Sequence, residues 1–214
     1  MTITSLKPEN SFYNDAFKIE FSDSSSLSLA VHYLPDEMAS GIPEKGALYA
    51  GRELSSGDEE IFGFAAACYR AEKIAARLIA RAEQNSFGLT AKLERRGFDA
   101  AAAKAVVCFF SEKNLLDDTR FAERWILSRL KGRKALSPGW LLASLRKRGI
   151  NRVSAEKALK NALDPEIEYD LLLKYLESSG FSGKKLELSS RFQLKKEGFS
   201  REVIEKYSDS IDKD

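Results

Sequence analysis

The sequence predicts a mainly α-helical fold. It reads as three tandem three-helix repeats in an elongated array, behind a small N-terminal extension that contains a β-hairpin. Three observations carry this expectation. A short phrase recurs as LERRGF (93–98), LRKRGI (145–150) and LKKEGF (194–199), with glycines at Gly97, Gly149 and Gly198. From about Asp58 onward apolar residues recur at helical spacing, whereas before it they alternate. Turn formers then punctuate the helical part at SFG (86–88), SPG (137–139) and SGFSG (179–183).

In FKIEF (17–21), Phe17, Ile19 and Phe21 share one face, and in LSLAVHY (27–33) Leu27, Leu29, Val31 and Tyr33 do the same. The intervening SDSSS is a run of turn formers, so the pair is predicted to be a hairpin. PDEMASGIPEKG (35–46) reads as loop, and ALYAG (47–51) as a short third strand. Ile61, Ala65, Cys68, Ala75, Leu78, Ile79 and Ala82 then mark a helical face, opened by a capping box from Ser56 to Glu59. Gly63 is a point at which this stretch could divide into two helices.

The recurring phrase has a physical reading. A helix commonly ends on a glycine in the left-handed conformation, and the residue after it packs back onto the helix. The packing pairs are Leu93 with Phe98, Leu145 with Ile150, and Leu194 with Phe199. Asp99, Asn151 and Ser200 follow, each a favoured N-cap for another helix. Nine residues past each glycine stand Val106, Ala158 and Tyr207, expected core positions. A near-constant period of helices alone is the signature of an α-repeat array. The chain thus divides into an acidic extension (1–57) and repeats at 58–112, 113–163 and 164–214.

Charge is distributed unevenly. Net charge is −7 over residues 1–61, +12 over 62–163 and −3 over 164–214. The middle is therefore the candidate surface for a polyanion. Its clusters are Arg95–Arg96, Lys131–Arg133–Lys134 and Arg146–Lys147–Arg148, with Arg124 beside them in sequence. Each cluster lies near a predicted helix end, where cations complement the helix dipole. Capping does not account for the further Arg70, Lys73, Arg77, Arg81, Arg120 and Arg129, nor for the diluted Lys195–Lys196–Glu197 of the third phrase. Trp140 follows Pro138 and is either core or a surface anchor beside the Lys131–Lys134 cluster; Trp125 is expected in the core.

Catalytic signals are missing. The single histidine, His32, has no nucleophile or ligand set near it in sequence and reads as structural. Cys68 and Cys108 have no metal spacing and are expected to be buried, reduced thiols. No phosphate loop or nucleophile elbow occurs, so neither a cofactor nor an enzymatic activity is expected. No run approaches the roughly 18 apolar residues of a membrane helix, and MTITSLKPEN has no leader pattern. A cytoplasmic location is the expectation.

The stretch NLLDDTRFAERWILSR (114–129) begins with Asp117 as an N-cap, Asp118 in the first turn, and Leu116 placed to staple onto Phe121. The string as a whole resembles the signature of the RecX family of bacterial recombination regulators. In that family a GLLDD-x-RFA-E helix start lies between L-x-x-KGF and L-x-x-KGI phrases. The match covers roughly residues 64–163 well and 164–210 as a looser third repeat. Departures are Gly88 in SFGL where members often carry glutamate, LSPGW at 136–140, and Asn114 in place of glycine. The resemblance implies a protein that binds the RecA filament, with single- or double-stranded DNA as a further candidate partner, and modulates, usually inhibits, recombinase, ATPase and coprotease activities; a monomer is expected. The alternative left open is a stand-alone helical protein gripping DNA phosphates without sequence preference.

Overall fold

The computed structural model describes residues 1–11, 13, 15–39, 48–132, 134–181 and 183–211. The chain is mostly helical with one small antiparallel sheet. Strands β1 (Ile3–Glu9), β2 (Ala16–Phe21) and β3 (Ser26–Ala30) lie in the order β1-β2-β3. The hairpin of β2 and β3 forms as the alternation predicts, pairing Phe17 with Leu29 and Ile19 with Leu27. The third strand is β1 rather than the ALYAG stretch. Residues 48–51 form no strand, although Gly51 and Arg52 exchange backbone hydrogen bonds with Ile3. The proposed loop at 35–46 carries a short helix α1 (Asp36–Ala39), and the rest of that stretch lies outside the described residues. β3 ends at Ala30, and Val31–Tyr33 winds into a 3-10 turn in place of continued alternation.

The helices are α2 (Ser56–Arg81), α3 (Ser86–Glu94), α4 (Ala100–Glu112), α5 (Asp118–Leu130), α6 (Pro138–Arg146), α7 (Arg152–Ala162), α8 (Pro165–Ser178), α9 (Leu188–Lys196) and α10 (Arg201–Ile211). α2 is continuous through Gly63, whose position is exposed and open, so no packing demand breaks the helix there. Its capping box starts one residue earlier than the sequence suggests. Ser55 Oγ accepts from the Asp58 amide, and the Asp58 carboxylate accepts from the Ser55 amide.

The recurring phrase folds the same way three times. The Gly149 amide donates to the Arg146 carbonyl at 2.9 Å and the Ile150 amide to Leu145 at 3.2 Å. Gly97 with Phe98 and Gly198 with Phe199 repeat this pair of bonds. The three glycines have φ of +87°, +79° and +89°, a region that penalises any side chain. Leu93, Leu145, Leu194, Ile150 and Phe199 are buried, and Phe98 packs at the edge of its core. Asp99, Asn151 and Ser200 each accept a hydrogen bond at the start of the following helix. Val106, Ala158 and Tyr207 are all buried.

Two compact units result. One comprises Met1–Gln84 with Leu89–Leu116, the other Asn85–Gly88 with Asp117–Asp214. In the first, Ile3, Ile19 and Leu29 of the sheet share a core with Phe62, Ala65 and Ala66 of α2, and Leu89, Leu93, Val106 and Phe110 form a second cluster. The second unit has one core, including Ile126, Leu141, Leu145, Leu172 and Tyr207. Leu116 is buried in the first unit's core, while Phe121 packs against the core of the second.

Candidate functional site

α5 starts where the sequence places it. Asp117 Oδ1 accepts from the amides of Thr119 and Arg120 at 2.8 and 3.1 Å. Asp118 does more than favour its own helix: its carboxylate accepts from the Ser86 amide at 2.7 Å, at the start of α3. There Asn85 Oδ1 accepts from the Gly88 amide, and Asn85 Nδ2 donates to the Arg148 carbonyl at 2.8 Å. Gly88, the departure from the family glutamate, thus works with an asparagine cap in place of a capping box. Asn114 stands at φ +56°, a conformation asparagine tolerates where the family has glycine.

From this start α5 carries Trp125 and, one turn on, Arg129. α6 is entered through Ser137, whose Oγ accepts from the Trp140 amide, and Pro138 in the first turn. The two indoles come together, with centroids 6.2 Å apart and planes at 22°. Cations surround them. The Arg148 guanidinium lies 4.5 Å from the Trp125 ring centre and that of Arg129 5.2 Å, while the Lys134 ammonium lies 5.8 Å from Trp140. Arg148 is fixed further by Nη1 donating to the Ser144 carbonyl at 2.8 Å. Such contacts contribute about 0.5–1 kcal/mol each at exposed sites and fix the charges over the rings. Trp125 is half-buried and packs against the edge of the core rather than within it, with the guanidinium groups of Arg129 and Arg148 over its ring. Trp140 is 41% exposed, which settles its reading as a surface residue.

The remaining predicted cations divide. Arg124, Lys131, Arg146 and Lys147 are exposed, and Arg148 is half-buried against Trp125. Arg133 lies outside the described residues. Arg95 and Arg96 belong to the other unit and bond back to their own helix, Arg95 Nε to the Ala91 carbonyl and Arg96 Nη1 to Lys92. Those two behave as helix-end cations. Lys73 is bound to Glu9 at 2.5 Å and lies over Tyr69, so it tethers β1 to α2. The Trp125–Trp140 stack could not be read from residues fifteen apart on different helices. The i, i+4 spacing of Trp125 and Arg129 was a usable signal for part of it.

His32 has partners that sequence distance conceals. Nδ1 lies 2.5 Å from Asp15 and Nε2 3.1 Å from Glu72, and the ring stacks on Phe109 at 3.9 Å. Burial alone depresses its pKa, but hydrogen bonds to Glu72 and Asp15 outweigh burial and hold it above the ordinary histidine value. Both ring nitrogens face carboxylates, so the imidazole ties the residues flanking the β2–β3 hairpin to α2. The ring borders a cavity of about 730 Å³ that Phe64, Cys108 and Glu112 also line. Cys68 is buried, its thiol pushed up to about 12 by burial. Cys108 is exposed, contrary to expectation, because its position on α4 faces outward; the hydrogen bond to Glu112 raises its pKa and favours the thiol. Among the described residues no group of three or more metal-ligating side chains is assembled, and no helix is long and apolar enough to cross a membrane.

No protein-family profile matches the chain. Among individual proteins, the regulatory protein RecX of Treponema pallidum (strain Nichols) is 40% identical over 114 residues, 53% of this chain and 69% of the relative. That of Thermobifida fusca is 37% identical over 99 residues, 46% of this chain and 52% of the relative. Among solved structures, a crystal structure of regulatory protein RecX superposes with a TM-score of 0.64 at 17% identity, covering 95% of this chain and 97% of that chain. RecX from Lactobacillus salivarius gives 0.50 at 17% identity, covering 68% and 97%. At that identity the structures speak for the fold alone, and the sequence relatives carry the family. The chain belongs to the RecX family of regulatory proteins.

Proposed function

We propose that this protein binds the RecA filament and inhibits its recombinase, ATPase and coprotease activities in the cytoplasm, acting by binding rather than by catalysis. Residues 58–112, 113–163 and 164–214 serve in this reading as three repeats that extend the contact along the filament. The observation that carries it is the Trp125–Trp140 stack ringed by Arg129, Lys134 and Arg148, with Arg146 and Lys147 exposed beside it in sequence, in a member of a regulatory family. Aromatic and arginine side chains are the residue types that anchor interfaces, and the cations select an anionic face.

RecA's single-strand-dependent ATP hydrolysis, followed while this protein is titrated from far below stoichiometric amounts at two salt concentrations, tests the reading. Inhibition at low ratios supports an action on filament growth. No effect at any ratio, together with binding to naked duplex whose log–log salt slope is about −0.9 per phosphate contact, would transfer the surface to plain DNA binding.

A further inference from the structure

The second unit carries a second exposed surface, made of different residues. On α9 only Leu194 is buried, while Leu188 is 85% exposed and Phe192 61% exposed. Counting back from the turn glycines, the positions that match Phe192 are Ala91 and Ala143. The fold therefore has no need of a bulky apolar side chain there. With Ile204 of α10 these residues line a groove of about 300 Å³, whose charged lining is Arg191, Lys195 and the mutually paired Arg201 and Glu205, which leaves it net positive.

The same fold shows what such a place receives. At the start of α3, the turn that follows α6 is seated: Phe87 lies against Gly149, and Asn85 donates to the Arg148 carbonyl. At the start of α6, the turn that follows α9 is seated. The Gly139 amide donates to the Glu197 carbonyl at 2.7 Å, and Ser137 Oγ to the Glu197 carboxylate at 2.8 Å. Both times the residue before a turn glycine offers its carbonyl to the beginning of another helix. The beginning of α9 is the third such place, and among the described residues no turn is seated on it.

We infer that the Leu188–Phe192 groove is a docking surface for the end of an acidic amphipathic helix from a partner protein. The exposed apolar side chains call for apolar residues in the incoming segment. Arg191 and Lys195 form no ion pair among the described residues, and Lys196 lies over the Phe192 ring at 4.8 Å; these cations call for carboxylates beside the apolar anchors. A second copy of this chain fits poorly. Its open turn at Gly97 is flanked by Arg95 and Arg96, which would place like charges against Arg191 and Lys195.

The test uses the full chain and two fluorescent synthetic helical peptides with one Leu/Phe face, the first carrying glutamates along its flanks and the second lysines. Anisotropy titration should show binding of the glutamate peptide, weakened at higher salt, and none of the lysine peptide. Leu188→Ser with Phe192→Ser should weaken binding by about tenfold or more, which corresponds to about 1.4 kcal/mol or more. Arg191→Glu with Lys195→Glu should abolish it. Equal binding of both peptides, binding of neither, or indifference to the Leu188 and Phe192 changes overturns the inference. So does sedimentation showing self-association that Phe192→Ser removes, since the groove would then belong to a second copy.

Discussion

Replacing the turn glycines by alanine separates two physical costs that the sequence treats as one. Gly97 and Gly149 share a left-handed backbone, but a Cβ at Gly97 meets open space, whereas one at Gly149 would lie 2.3 Å from Phe87 Cγ and 2.4 Å from Phe87 Cβ. Gly97→Ala should therefore cost only the left-handed penalty, about 1 kcal/mol. Gly149→Ala adds overpacking of about 2 kcal/mol. The Phe87 ring is 60% exposed and can swing away, but its Cβ is held by the helix, so part of the overlap persists. At a urea slope of about 2 kcal/mol per molar, the midpoints of the two variants should differ by about 1 M. Phe87→Gly removes all three crowding atoms, so in that background most of the extra cost of Gly149→Ala should disappear. Equal midpoints for Gly97→Ala and Gly149→Ala would refute the seating of Phe87 on Gly149, and with it the template used for the α9 groove.

Three further outcomes are expected. The His32 pKa is raised in the folded state, so the stability its charge contributes is complete below the unfolded value of about 6.5 and is lost as pH rises through the folded value. Asp15, Glu72, Tyr13 and Tyr33 face the ring, and burial raises both tyrosines above their ordinary value, so neither ionises across this window. Urea midpoints measured between pH 6 and 9 should fall for the wild type and stay flat for His32→Gln; a flat wild-type profile contradicts a raised His32 pKa. Asp118→Ala should cost about 1 kcal/mol, as loss of a cap does, and should speed hydrogen exchange of the Ser86 amide; unchanged exchange there would argue against the bond. Arg146→Glu with Lys147→Glu should weaken inhibition of RecA ATP hydrolysis while leaving the melting temperature within a degree or so, since both side chains are exposed. Arg148 is left out of that pair because its guanidinium packs on Trp125, and a change there mixes binding with folding.

The elements whose rules are local were legible from the sequence. Helix ends at Gly97, Gly149 and Gly198, caps at Asp99, Asn151 and Ser200, and the β2–β3 hairpin all follow from backbone preferences within a few residues, and all are present. The family resemblance came from the same short phrases. What the sequence could not yield is pairing across distance. β1 was missed because ITSLKPE has weak alternation and becomes a strand only by pairing with β2. His32 gained its partners 17 and 40 residues away, and Asp118 capped a helix 32 residues upstream. The candidate surface shows the division most clearly. Sequence charge marked the cations at 124–134 and 146–148, but tertiary packing chose among them. It stacked Trp125 on Trp140, drew Arg148 onto the stack, and left Arg95 and Arg96 bonded to their own helix end. Caps and turns are satisfied by neighbours along the chain, whereas a cation's role depends on which ring or carbonyl the fold places beside it.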